Sequence, residues 1–139
     1  MKQKINRKQQ QFSKSNKFKQ PDTTKNIINY DNEKPVFSFI YSVDKKYGID
    51  ECTTEEKLSF LKTMLKLSEC SWIMLKSADK HGLGYEKIDK INTSLPPQVT
   101  DEVQLIAFRF YDKAPMVGFR QERTFHIIFF DRDFTLYDH

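Results

Sequence analysis

Two arginines in the last third of the chain, Arg109 and Arg120, are candidates for binding an anion. Arg109 has a phenylalanine on each side in a predicted strand, so it projects from the opposite sheet face if both phenylalanines face the core. With neighbouring strands in suitable register, Arg120 lies beside it, and the two guanidinium groups would hold a phosphate or a partner's carboxylate bidentately. The alternative, two solvated arginines paired with Asp112 and Glu122, is equally consistent with the sequence.

The three histidines are candidates for proton transfer, because an unperturbed imidazole titrates near neutral pH. His126 lies among large apolar residues, where it is either a proton carrier or, as we favour, a structural histidine with its hydrogen bonds satisfied. His139 is the last residue and is either frayed or held still by pairing of Leu136 and Tyr137 in the sheet. His81 precedes a glycine at a predicted helix end, where the helix dipole alone favours an imidazolium.

Three β-rich runs joined by short turns must form antiparallel neighbours that position these residues. The runs are Val103 to Tyr111, Met116 to Arg120 and Thr124 to Phe130, with Phe134 to Tyr137 as a short fourth strand at the edge beyond the third. Tyr137 and His139 then reach the arginines only if residues 134 to 139 curl back over the outer sheet face.

Alternation makes both faces of the third run apolar. Phe125, Ile127 and Phe129 share one face, and His126, Ile128 and Phe130 share the other. One face must pack on helices, and the other needs a cover, which could be an N-terminal arm, a partner chain or a ligand.

The elements before this sheet are predicted to be one strand and two helices. A period-2 run from Val36 to Val43 predicts the first strand, and the capping-box spacing of Thr53 and Glu56 predicts a helix start. A leucine stripe is expected to be the buried face of that helix, and a second helix is predicted over residues 71 to 80, with another turn or two of helix within residues 85 to 91. The stripe comprises Leu58, Leu61 and Leu65.

This order predicts an α+β fold, an antiparallel sheet with an αα-hairpin on one face. We expect a basic flexible arm over residues 1–34 and a single α+β domain over residues 35–139. Residues 1 to 20 carry seven basic and no acidic side chains, whereas the rest of the chain has a net charge of −3. Together with Phe12 and Phe18 the basic residues could track an RNA backbone, although a solvated tail is equally consistent. They are Lys2, Lys4, Arg7, Lys8, Lys14, Lys17 and Lys19.

Cys52 and Cys70 lack the spacing of a zinc site, so we expect a reduced intracellular protein with no metal and no cofactor. No apolar run is long enough to span a membrane and no export signal is evident, which predicts a cytoplasmic location without membrane association.

The element order, together with the C-terminal sequence, resembles the RelE/ParE superfamily of small toxins, including the RelE and HigB mRNA interferases. The resemblance rests on Val117-Gly118-Phe119-Arg120, His126-Ile127-Ile128-Phe129-Phe130 and Leu136-Tyr137-Asp138-His139. It implies RNA cleavage in the ribosomal A site, in which the 2′-hydroxyl attacks the neighbouring phosphate. It also implies a phosphate-binding role for Arg120 and catalytic roles for Tyr137 and His139, at positions where members such as YoeB have a Tyr and a His.

The sequence therefore predicts one catalytic site formed by Arg109, Arg120, Tyr137 and His139. The leading hypothesis is a RelE-like toxin, an endoribonuclease that needs no metal and acts on RNA at the ribosome, with an antitoxin protein as a candidate partner. The alternative is a non-enzymatic interaction protein that binds a protein partner through its apolar sheet face and basic arm. The sequence makes no prediction of oligomeric state.

Overall fold

The computed structural model describes residues 28 to 139 and consists of five strands and two α-helices, with three short 3-10 helices. The α+β class is confirmed. The strands are β1 (Val36–Ser38), β2 (Glu86–Ile88), β3 (Leu105–Tyr111), β4 (Ala114–Gln121) and β5 (Thr124–Phe130), the α-helices are α1 (Thr54–Leu67) and α2 (Trp72–Ser77), and the 3-10 helices are Tyr30–Asn32, Lys45–Tyr47 and Ile49–Glu51. Among these residues, none of the helices is both long and apolar enough to cross a membrane.

The strands form one mixed sheet in the order β1-β5-β4-β3-β2. The predicted meander of β3, β4 and β5 is confirmed, and β2 joins it antiparallel to β3. The first strand departs from the antiparallel sheet we expected, because β1 pairs parallel to β5. Its position at the edge excludes the predicted C-terminal strand, and residues 134 to 137 form no strand.

Two segments between the predicted strands differ from expectation. Residues 86 to 88, within the region expected to add helical turns, form β2. The predicted first strand ends at Ser38, and the chain then bends so that the Val43 amide donates to the carbonyl of Ile128, 3.0 Å away. The bend carries residues 41 to 47 to the sheet face opposite the helices, which we call the second face.

The first core layer lies between the two helices and the sheet. Phe60 and Leu67 of α1 and Trp72 and Leu75 of α2 are buried in it. The Trp72 indole donates to the carbonyl of Arg123 at 2.9 Å, which ties α2 to the β4–β5 turn. The αα-hairpin therefore covers one face of the sheet, as the sequence predicts.

The buried face of α1 is not the leucine stripe. Leu58, Leu61 and Leu65 are 52%, 57% and 69% exposed, so the prediction that they form the core is wrong. Phe60 points inward, with its ring centroid 5.2 Å from that of Phe130, and Leu67 is fully buried. The helix is apolar on two sides, and aromatic packing against the sheet decides which side is buried.

The capping box of α1 forms as predicted. The Glu56 amide donates to the Thr53 hydroxyl at 3.1 Å, and the Thr53 amide donates to Glu56 Oε1 at 2.7 Å. Arg132, which follows β5, adds a 2.8 Å ion pair to the same carboxylate. Burial opposes ionisation, but the hydrogen bonds from Arg132 and Thr53 outweigh it and lower the pKa of Glu56.

The second core layer lies on the opposite sheet face, and the chain itself supplies its cover. Tyr41, Val43 and Tyr47 pack there, together with the loop of residues 91 to 103 and the C-terminal Leu136 and Tyr137. The expected cover by an arm, a partner chain or a ligand is therefore wrong for this face. The apolar sheet face proposed as a docking surface is occupied by residues of the same domain.

A β-bulge in β5 changes the predicted alternation of side chains. Val117 pairs with Phe129 and Gly118 pairs with Ile127, which leaves Ile128 as the extra residue. As a result Phe129 lies in the second core and Phe130 in the first, opposite to the faces predicted. Gly118 permits this close approach, since a Cβ there would overlap the His126 carbonyl.

The described part of the predicted arm, residues 28 to 34, contacts the domain. The Trp72 amide donates to the carbonyl of Glu33 at 3.0 Å, and Asp31 and Glu33 pair with Arg120 and Arg123. Residues 1 to 27 lie outside the described residues.

Candidate active site

Arg109 and Arg120 lie on opposite faces of the sheet, so the predicted pair of adjacent guanidinium groups is wrong. Arg120 lies on the helix side, where its guanidinium stacks over the Trp72 ring at 4.5 Å. Its Nη2 pairs with Asp31 at 2.8 Å, and its Nε donates to the carbonyl of Glu122 at 2.6 Å. These contacts fix the N-terminal segment on α2 and β4.

Arg109 projects from the second face, as its alternation along β3 predicts. Its Nη1 donates to the carbonyl of Lys80, in the loop after α2. Its Nε is buried and has no hydrogen-bond partner among residues 28 to 139. Since Ala107 pairs with Glu86 of β2 and shares a face with Arg109, the guanidinium lies close to the Glu86 carboxylate.

Glu86 is the centre of a hydrogen-bonded group that sequence reasoning missed. The Tyr137 hydroxyl donates to Glu86 Oε2 at 2.9 Å, and Lys80 Nζ lies 2.8 Å from Oε1. Burial opposes ionisation of Glu86, but the hydrogen bonds from Lys80 and Tyr137 outweigh it and lower the pKa of this carboxyl. Burial, followed by the hydrogen bond to Glu86, raises the pKa of Tyr137, so the phenol stays neutral and acts as a donor.

The C-terminal residues 131 to 139, which we call the hook, fold over the second face. Asp131 is fully buried and accepts hydrogen bonds from the amides of Thr135 and Leu136 at 2.9 and 3.1 Å. Its other carboxylate oxygen lies 3.1 Å from His139 Nε2. The His139 ring stacks on Tyr137 with centroids 4.1 Å apart. The hook therefore fulfils the requirement that the last residues curl back over the sheet.

The structure brings together three of the four predicted site residues. A series of contacts through Lys80 and Glu86 links Arg109 to Tyr137, whose ring stacks on His139. Arg120 lies on the other side of the sheet. We call this group of residues, together with Asp131, the hook cluster. Its members are Lys80, Glu86, Arg109, Asp131, Tyr137 and His139. A cleft of about 250 Å³ opens beside it, between β2 and the hook, and both basic and acidic side chains line it: Lys87, Lys90, Glu86, Asp89 and Asp138, with Asn92 and Tyr137.

The hook cluster has the components of an acid–base site. His139 is partly exposed, with 29% of its side chain accessible, and its Nε2 is engaged by a fully buried carboxylate. A carboxylate in that position fixes the orientation of the imidazole, and it leaves Nδ1 to exchange a proton with a ligand. Arg109 and Lys80 supply positive charge to the same group of contacts, next to the Glu86 carboxylate.

The other two histidines lie elsewhere. His126 is buried between Phe119 and Tyr41, with ring centroids 4.9 and 5.1 Å away, and its Nε2 lies 3.1 Å from Gln121 Oε1. Burial lowers its pKa. These contacts are those of a structural histidine, but its buried Nδ1 has no hydrogen-bond partner among the described residues, so the prediction that its hydrogen bonds are satisfied holds for Nε2 alone.

His81 is exposed and is not at the end of a helix. The helix predicted to reach residue 80 ends at Ser77, with Ala78 as its C-cap. His81 therefore lies beyond the reach of the helix dipole, and the prediction that it precedes a glycine at a helix end is wrong.

The seven basic residues predicted to bind RNA, Lys2, Lys4, Arg7, Lys8, Lys14, Lys17 and Lys19, lie outside the described residues. Within residues 28 to 139, no group of three or more His, Cys, Asp or Glu side chains is arranged to hold a metal ion. Comparison of the chain with protein-family models, with curated proteins and with solved structures found no match.

Proposed function

We propose that the protein is a RelE-like toxin, an endoribonuclease that cleaves messenger RNA at the ribosome without a metal ion. The observation that carries the proposal is the pair of Asp131 and His139, held in the same cluster as Arg109 and Tyr137. RNA cleavage by the 2′-hydroxyl needs a group that removes a proton and positive groups near the phosphate.

In the proposed reaction the proton of the 2′-hydroxyl passes to Nδ1 of His139, and O2′ forms a bond to phosphorus. The bond between phosphorus and O5′ breaks, and the departing oxygen takes a proton from water. The products are a 2′,3′-cyclic phosphate and a 5′-hydroxyl end. Asp131 stabilises the imidazolium that forms, and Arg109 stabilises the charge on the phosphorane.

The proposal gives the phosphate-binding role to Arg109 instead of Arg120. The contacts of Arg120 with Trp72 and Asp31 occupy its guanidinium and keep it on the opposite sheet face. Tyr137 cannot serve as the base at neutral pH, because its raised pKa keeps it protonated. Its proposed role is to orient Glu86 and to stack against His139.

The proposed partners are messenger RNA in the ribosome and an antitoxin protein that acts as an inhibitor. Under this proposal the protein acts in the cytoplasm, where ribosomes are found. The basic residues between Lys2 and Lys19 would add electrostatic contact with RNA. A non-enzymatic role through the apolar sheet face is less well supported, because that face is covered by residues 41 to 47 and the hook.

The test uses the full chain with purified ribosomes carrying a 5′-labelled messenger RNA. We expect a cut in the A-site codon with a 2′,3′-cyclic phosphate on the labelled fragment. A messenger with one 2′-deoxynucleotide at the scissile position should stay intact, since it lacks the attacking group. Intact messenger of both kinds at excess protein would refute the ribonuclease, and cleavage of the deoxy messenger would refute the mechanism.

A further inference from the structure

The exposed side of α1 carries an apolar surface that nothing in the described residues covers. Leu58, Leu61 and Leu65 follow the spacing i, i+3, i+7 on the side of the helix opposite the buried Phe60 and Leu67. We call these three residues the leucine face. A surface helix normally presents polar residues to solvent, and an aligned row of exposed leucines is typical of a binding surface.

The charges around the leucine face are mainly positive. The exposed residues Lys57, Lys62 and Lys66 flank it along α1, whereas its exposed acidic neighbours, Glu55 and Glu69, lie near the two ends of the helix. The remaining carboxylate of the helix, Glu56, is buried against Arg132 and contributes no free charge to this surface.

A second copy of this chain does not complement the leucine face. If two α1 helices paired antiparallel about a two-fold axis with Leu58 opposite Leu65, the axis would pass between residues 61 and 62, and Lys62 of each helix would lie beside Lys62 of the other. If they paired parallel, Lys57 of each helix would lie across from Lys62 of the other. Like charges in facing positions disfavour both arrangements.

We infer that the leucine face is a docking site for an amphipathic helix of another protein, with apolar residues at i, i+3 and i+7 and acidic residues on its flanks. Such a helix would place its apolar side on the three leucines and its carboxylates beside the lysines. The site lies on the helix side of the sheet, whereas His139 and Arg109 lie on the opposite side. The inference is therefore independent of the proposed ribonuclease.

The probe is a fluorescently labelled helical peptide with a leucine stripe flanked by glutamates, compared with a peptide of the same sequence carrying lysines instead. Fluorescence anisotropy with the full chain should show binding of the acidic peptide at least about tenfold tighter than of the basic one. A Leu58→Ser, Leu61→Ser, Leu65→Ser variant should lose this binding. Ile40→Ser, which changes a residue that is 72% exposed outside the leucine face, should retain it.

Charge reversal gives the sharper test. A Lys62→Glu, Lys66→Glu variant should lose affinity for the acidic peptide and gain it for the basic peptide. Circular dichroism should show unchanged helix content in every variant, because all the substituted side chains are exposed. Failure of the acidic peptide to bind, or equal binding of both peptides, would overturn the inference. So would a dimer of the full chain in light scattering that the triple serine variant converts to a monomer.

Discussion

The orientation of α1 can be tested by comparing two leucine-to-alanine substitutions in the same helix. Leu67 is fully buried in the first core, whereas Leu61 is 57% exposed. Leu67→Ala removes buried methyl groups and leaves a cavity, which should lower the free energy of unfolding by about 2 to 5 kcal/mol. Leu61→Ala should lower it by less than about 1 kcal/mol, because the side chain already contacts water over most of its surface.

Urea unfolding of the full chain measures both values, and fluorescence of the single tryptophan, Trp72, reports the loss of the core. Both variants replace a leucine by an alanine in the same helix. The difference between their free energies of unfolding therefore reports packing and not helix propensity. Equal losses for the two variants, or a larger loss for Leu61→Ala, would show that the leucine face is the buried side and refute the packing described here.

Three further predictions concern the sheet and the start of α1. Burial lowers the pKa of His126, so the folded state disfavours its protonation. The free energy of unfolding should therefore fall as pH drops below about 6.5. The urea midpoint of His126→Phe should depend less on pH over this range. Glu56→Gln weakens the capping box and the pair with Arg132, and it should lower the free energy of unfolding by about 1 to 2 kcal/mol at pH 7. Because the pKa of Glu56 is lowered, this difference in stability from the wild type should disappear as pH falls below 4.5. Gly118→Ala places a methyl group against the His126 carbonyl of the neighbouring strand and should abolish cooperative unfolding by circular dichroism, whereas Ala107→Gly should preserve it.

The parts of the fold that the sequence predicts are those set by local chemistry. The spacing of Thr53 and Glu56 predicts a helix start because the two side chains satisfy amides within one turn. The runs that form β3, β4 and β5 are separated by turns too short for any pairing but an antiparallel one.

The parts that it does not predict depend on contacts between distant residues. The three-residue strand β2 forms because Glu86 to Ile88 pair with β3, and its own sequence carries little β signal. Helix α1 is apolar on two sides, so periodicity cannot decide between Phe60 and Leu61 as the buried position. The hook is folded by the Asp131 carboxylate, which caps the amides of residues 135 and 136, and this leaves no strand at the C terminus.

The candidate site shows the same division. Tyr137 and His139 are candidate site residues because the C-terminal segment resembles that of the RelE/ParE toxins. Alternation along β3 predicts the correct sheet face for Arg109. Glu86 and Asp131 were missed because an acidic residue in a short strand or a turn is normally solvated. The one available signal was the position of Asp131 directly before a turn, where an Asp side chain often accepts hydrogen bonds from following amides.

The measurement that tests the proposed ribonuclease most directly is the single-turnover rate of A-site messenger cleavage by the wild type, His139→Gln and His81→Gln. His139→Gln removes the proton acceptor and should lower the rate at least about 100-fold. His81→Gln alters an exposed histidine outside the hook cluster and should cleave at the wild-type rate. Cleavage by His139→Gln at the wild-type rate would contradict the assignment of His139, held by Asp131, as the proton acceptor.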